Sequence, residues 1–138
     1  MLPPNCAAWR RRVRATTASP RVLVVDDFMD IADSIAMILQ IDHYATEVAY
    51  RGRDAVAIAK RWQPDIVLLD IWMPGMSGLE VARLLRAQPE TADMVIVGHS
   101  ALSGAADFEA AKAAGFDAYC SKPTDPACLA PLLQSLCK

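Results

Sequence analysis

Three carboxylates stand where two apolar runs end. Asp70 follows Asp65-Ile66-Val67-Leu68-Leu69, and Asp26 and Asp27 follow Arg21-Val22-Leu23-Val24-Val25. Continuous aliphatic runs suit parallel strands covered on both faces, and in open α/β sheets chemistry collects beyond the carboxyl ends of such strands. Carboxylates gathered there repel one another and cost desolvation, which a hard, oxygen-seeking cation such as Mg2+ relieves. The acids therefore point to a metal-assisted reaction or a regulatory switch.

The neighbouring loops narrow that chemistry. A flavin or nucleotide site needs Gly or Ser/Thr after the first strand, so that backbone amides and a helix N-terminus hold phosphate. Here the loop reads Asp26-Asp27-Phe28-Met29-Asp30, which repels phosphate unless a metal intervenes. An aspartyl-nucleophile phosphatase of the haloacid dehalogenase type would carry a second acid two residues after its nucleophile, where Trp72 stands. What remains is an aspartate that accepts a phosphoryl group beside Mg2+, with cations and donors placed around the phosphoryl oxygens. Ser100, after the run Met94-Val95-Ile96-Val97-Gly98-His99, could hydrogen-bond one oxygen, and Lys122, after a fifth run, could pair with another. A metal-dependent phosphatase with an external substrate stays open as a reading of a different class.

Five strand-like runs alternate with five segments of helical period, the signature of a βαβ array. Strands are expected at about 21–26, 45–50, 65–70, 94–99 and 117–121, and helices at about 29–40, 53–62, 77–87, 103–113 and 126–136. The first helix aligns Ile31, Ile35, Ile38 and Leu39 on one face, with Asp27 or Asp30 available to cap its start. The second carries Val56, Ala59 and Trp62, the last at the edge of the core, and Pro64 ends it. The fifth opens with Asp125 and Pro126, but Pro131 removes a helical donor, so a kink or a start near Cys128 is expected.

A length of 138 residues fits one domain, with residues 21–138 as its body. Arg10, Arg11, Arg12 and Arg14 all precede the first acid, and without residues 1–20 the chain holds ten basic against sixteen acidic side chains. So acidic a body has no general attraction to nucleic acid. The first twenty residues lack an apolar signal region and read as a disordered extension with Trp9 in solvent. No apolar run is long enough to span a bilayer, and a cytoplasmic location is expected. Cys6, Cys120, Cys128 and Cys137 form no C-x-x-C pair or zinc-like spacing, and are expected as reduced, structural thiols.

From Arg21 to Leu136 the chain resembles the receiver domain of bacterial two-component response regulators, above all the single-domain, chemotaxis-regulator type. The resemblance rests on Val-Leu-Val-Val-Asp26-Asp27, on Asp70-Ile-Trp-Met-Pro74-Gly75-Met-Ser-Gly78, on Ser100-Ala101 and on Tyr119-Cys-Ser-Lys122-Pro123, each at the end of a successive strand. It implies a flavodoxin-like, doubly wound (βα)5 fold whose five parallel strands run in the order 2-1-3-4-5. It implies Asp70 as phosphoacceptor, and Mg2+ held by Asp26, Asp27, Asp70 and the Trp72 carbonyl. Lys122 would stabilise the phosphoryl group, its bond to Pro123 being cis, and Ser100 and Tyr119 would form the switch pair. A sensor histidine kinase or phosphotransfer protein would donate to Asp70. The fourth helix, fifth strand and fifth helix would present a face to a downstream protein partner, the chain being a monomer or weak homodimer. With no output domain read after Lys138, a stand-alone regulator is expected. The terminal receiver of a hybrid sensor kinase is the alternative, since such receivers share a run like Gly115-Phe116-Asp117-Ala118.

Three positions depart from the usual pattern. Trp72 stands where smaller or polar residues are common, and its indole is expected to slow hydrolysis of the acyl phosphate by shielding it. His99 replaces an aliphatic residue and is read as packed or at the solvent edge rather than as a phosphotransfer group, its role left open. Ser100 keeps the hydroxyl of the more frequent threonine and loses its methyl.

Overall fold

The computed structural model describes residues 6–9, 20–101, 104–122 and 133. Its elements in chain order are β1 (Cys6–Ala8), β2 (Arg21–Val25), α1 (Met29–Ile41), β3 (Ala45–Ala49), α2 (Gly52–Trp62), β4 (Ile66–Leu69), α3 (Gly78–Ala87), β5 (Val95–Ser100), α4 (Ala105–Ala114) and β6 (Ala118–Ser121). They form one sheet in the order β1-β6-β5-β4-β2-β3. The five strands from Arg21 onward are parallel and give the expected 2-1-3-4-5 arrangement. The expected fifth helix falls outside the described residues except for Leu133, which is helical and fully buried. Asp125, Pro126, Cys128 and Pro131 lie outside them too, as do Cys137 and the Lys122–Pro123 bond.

Period-two alternation sorts the strand residues onto two cores. Val22, Val24, Ile66, Leu68, Val95 and Val97 pack with Ala32, Ile35, Ala36 and Leu39 of α1, while Leu23, Val25, Val67, Leu69 and Ile96 face α2, α3 and α4. With both faces covered, β4 and β5 are buried along their whole length, hence their uninterrupted apolar sequences.

Helix ends follow local chemistry. Ser77 caps α3 by accepting the Glu80 N–H at 3.3 Å. Gln63 adopts a left-handed conformation after α2 (φ 54°), directly before Pro64. Trp62 lies half-buried at the core edge as expected, with the Arg21 guanidinium 5.6 Å from its ring centroid. For α1 the expectation fails. Neither Asp27 nor Asp30 caps it; Phe28 holds the N-cap position without a side-chain bond, and Asp26 Oδ1 instead accepts the Phe28 N–H at 2.9 Å.

The leader differs most from expectation. Cys6–Ala8 form a strand antiparallel to β6, with Cys6 opposite Cys120, Ala7 opposite Tyr119 and Ala8 opposite Ala118. Disorder therefore does not hold for these residues, nor solvent exposure for Trp9, which is half-buried and packs on the α2–α4 core. Pairing to the β6 edge satisfies backbone groups that would otherwise face water, a gain that side-chain pattern does not reveal. Cys120 is disulfide-bonded rather than a free thiol, and the register brings the backbone of Cys6 opposite it.

Candidate functional site

The site lies where the chain reverses its direction across the sheet. β2 is followed by β3 on one side and β4 on the other, so a crevice opens at their carboxyl ends. Ladder hydrogen bonds carry past the strand ends and fix each residue there. Asp26 donates its N–H to Ala49 O at 3.1 Å, Asp70 to Val25 O at 2.9 Å, and Lys122 to Ser100 O at 2.7 Å. Carboxylate oxygens of Asp26, Asp27 and Asp70 lie within 4.8 Å of one another, the first and last buried and Asp27 exposed. Lys122 Nζ reaches into this group, donating to Asp26 Oδ2 at 2.7 Å and standing 3.6 Å from Asp70 Oδ2.

The loop after Asp70 is shaped by two glycines. Gly75 takes φ +80°, a left-handed conformation costly for other residues. Gly78 opens α3 directly against the Asp70 backbone: a Cβ there would collide with the Asp70 carbonyl oxygen and lie 2.8 Å from Ile71 Cα. Its N–H is held by Ile71 O at 2.9 Å. The start of α3 thus clamps the segment bearing Asp70.

Burial pushes the Asp70 carboxyl up to about 6; Lys122 pulls it down, Asp26 raises it, the Ser100 hydroxyl lowers it and Asp27 raises it. Ser100 is 1% exposed, and its Oγ has no partner at hydrogen-bond geometry. His99 is buried on the opposite face of β5 with Nε2 unpartnered; burial, then Lys122, hold it down to about 4, and Asp26 pulls it back up. Tyr119 is fully buried, its hydroxyl pushed up to about 12, first by burial. It fits because Gly98 has no side chain: a Cβ there would stand 2.7 Å from Tyr119 Cδ2. A glycine inside an apolar strand signals such an approach.

The structure thus gathers Asp26, Asp27, Asp70 and Lys122 into one pocket, with Ser100 and Tyr119 next to it. Trp72, two residues after Asp70, is 68% exposed. Sequence reasoning missed Trp9, whose contacts depend on a strand with no periodic signal. It also missed Arg86, which donates to Gly115 O (2.8 and 3.0 Å), Ala92 O (2.7 Å), Met94 O (2.6 Å) and the buried Asp117 carboxylate (2.7 Å). Asp117 also accepts the Ile96 N–H at 2.9 Å, so this cluster ties α3 to the amino ends of β5 and β6.

A doubly wound α/β domain with an acidic pocket and a lysine at its strand ends defines a class of molecular switch. This chain belongs to the response regulator receiver domain family, whose profile matches residues 22–134, and it is a receiver domain of two-component signalling. It is 36% identical over 118 residues to the response regulator PleD of Caulobacter vibrioides, covering 86% of this chain and 26% of PleD. To the DNA-binding response regulator MtrA of Mycobacterium tuberculosis it is 34% identical over 110 residues, covering 80% of this chain and 47% of MtrA. The chain thus spans between a quarter and a half of these relatives. Among solved structures, chemotaxis protein CheY4 of Vibrio cholerae superposes with TM-score 0.83 at 30% identity, covering 86% of this chain and 99% of CheY4. A CheY-like receiver from Methanospirillum hungatei gives TM-score 0.79 at 26% identity, covering 85% and 92%. No helix among the described residues is long and apolar enough to cross a membrane.

Proposed function

We propose that this receiver domain accepts a phosphoryl group on Asp70 and signals through the shape change that follows. The observation that carries the reading is the pocket itself: three carboxylates within 4.8 Å of one another, with the Lys122 ammonium 2.7 Å from Asp26 and 3.6 Å from Asp70. The donor set is all hard oxygen, which suits Mg2+, and Asp26, Asp27 and Asp70 would hold it with the Trp72 carbonyl. A cation held there would offset the charge of the carboxylates and of an incoming phosphate.

A carboxylate oxygen of Asp70 attacks phosphorus, the bond from phosphorus to the donor breaks, and the donor leaves with that electron pair. The donor is a phosphorylated imidazole of a histidine kinase or phosphotransfer protein. Lys122 counters charge on the phosphoryl oxygens, and the free hydroxyl of Ser100 donates to one of them. Ser100 moving inward and Tyr119 filling the vacated space alter the face around α4 and β6, where a downstream protein docks.

Mass spectrometry after incubation with Mg2+ and a small phosphodonor tests this. The wild type is expected to gain one phosphoryl group on Asp70, lost on omission of Mg2+ and in Asp70→Asn. A wild type that stays unmodified with every donor would overturn the reading. Sustained turnover of an aryl phosphate, abolished in Asp70→Asn, would replace it with a phosphatase.

A further inference from the structure

β1 runs opposite to all the other described strands and ends against the proposed switch residue. Trp9 follows it and donates its N–H to Asp117 O at 2.7 Å, extending the pairing with β6. It lies two residues beyond Ala7, the register partner of Tyr119, so alternation puts Trp9 and Tyr119 on one face of the sheet. Its ring stands 6.5 Å from both Tyr119 and Phe108, which meet edge-on at 4.9 Å. Tyr119 is fully buried and Trp9 half-buried, so of these two rings the indole is the one that reaches solvent. A Tyr119 ring turned outward would enter the volume that Trp9 fills.

We propose that the β6 edge and the aromatic seat of Phe108 and Tyr119 form a docking site for an extended segment ending in an aromatic residue, that residues 6–9 of this chain are its occupant, and that their docking favours buried Tyr119 and, through it, phosphoryl binding at Asp70. The inference rests on the reading of Asp70 as phosphoacceptor and Tyr119 as its switch partner. Backbone pairing supplies affinity in this mode and the side-chain seat supplies specificity. Coupling between two sites is reciprocal, so a phosphoryl mimic at Asp70 must also tighten the strand.

The test uses the full chain in reductant, which keeps Cys120 as a thiol, so that backbone pairing and ring packing are what it reads. Hydrogen exchange is followed in peptides covering residues 6–9 and 118–121, and Mg2+-dependent beryllofluoride binding by calorimetry. Trp9→Ala is expected to lose protection in both peptides and to bind beryllofluoride about three- to tenfold more weakly, the scale of one aromatic cluster. Trp9→Phe should recover most of both effects, and beryllofluoride should slow exchange of residues 6–9 in the wild type, which needs no variant. Unchanged protection and affinity in Trp9→Ala would overturn the proposal. So would protection that rises with protein concentration alongside a dimer in sedimentation, since the occupant would then be a second copy. If the wild type takes no beryllofluoride, the phosphoacceptor reading falls and the coupling with it, while exchange still decides whether residues 6–9 occupy the seat.

Discussion

Asp70 sits where burial and two neighbouring acids oppose its own charge. Its folded value of about 6, above the ordinary 3.8, means that the folded protein holds this proton more tightly than the unfolded chain. Below about pH 3.8 the site imposes no penalty, and as pH rises through 6 the metal-free fold loses stability. Asp70→Asn is therefore expected to stabilise the metal-free protein at pH 7.5, by about 1–2 kcal/mol after allowance for solvent screening, and to change little near pH 4. Urea unfolding at the two pH values measures it, and adding Mg2+ should narrow the gap by stabilising the wild type. His99 has the opposite sign. Its folded value of about 4 lies below 6.5, so its neutral burial supports the fold above pH 6.5 and that support is lost as pH falls toward 4. In His99→Leu the stability lost between pH 6.5 and 4 should shrink; an unchanged acid limb would show that His99 does not stay neutral. The acids, Lys122 and Ser100 were legible because each follows a recognisable strand. The depth of His99 was not, since an apolar run does not show which member lacks a hydrogen-bond partner.

At the scale of elements, five parallel strands and the four helices α1 to α4 could be read because a packed sheet imposes period two and a covering helix period 3.6 on the residues themselves. β1 imposes nothing comparable: three residues are held by backbone bonds to an edge, and such bonds are blind to side-chain type. Arg86 was equally hidden, since the last turn of a helix is an ordinary place for a solvated arginine. Here its side chain is 16% exposed and paired with an Asp117 carboxylate that is 0% exposed. Arg86→Met leaves that carboxylate buried without its cation and is expected to cost about 3 kcal/mol, read as a lower urea midpoint, with the Asp70 pocket still able to bind beryllofluoride. Gly78→Ala should do the reverse. Its methyl meets the Asp70 backbone, so phosphorylation should fall by a factor of ten or more; unaltered phosphorylation would show that the Asp70 segment is not clamped.

Across the whole molecule the two ends of the sheet are built differently. At the amino ends, Arg86 fastens α3 to β5 and β6, and Arg21 donates to Asp65 Oδ2 (2.9 Å) and Trp62 O (2.6 Å). At the carboxyl ends stand like charges, an unpartnered Ser100 hydroxyl and a loop turning on Gly75. One end is satisfied and the other is poised, which is how a fold keeps motion local to its working site. The alternating α/β architecture was legible from the repeats, whereas β1 needed the assembled sheet to exist before it had anything to pair with. That strand also bears on how the protein is handled at the bench. An extended chain lying along β6 blunts an edge that would otherwise offer a row of free amides and carbonyls to any neighbour. A trimmed version starting at Arg21, the natural choice for a tidier sample, should scatter more light with rising concentration than the full chain. The segment most readily discarded as a tail would then be what keeps the preparation clear.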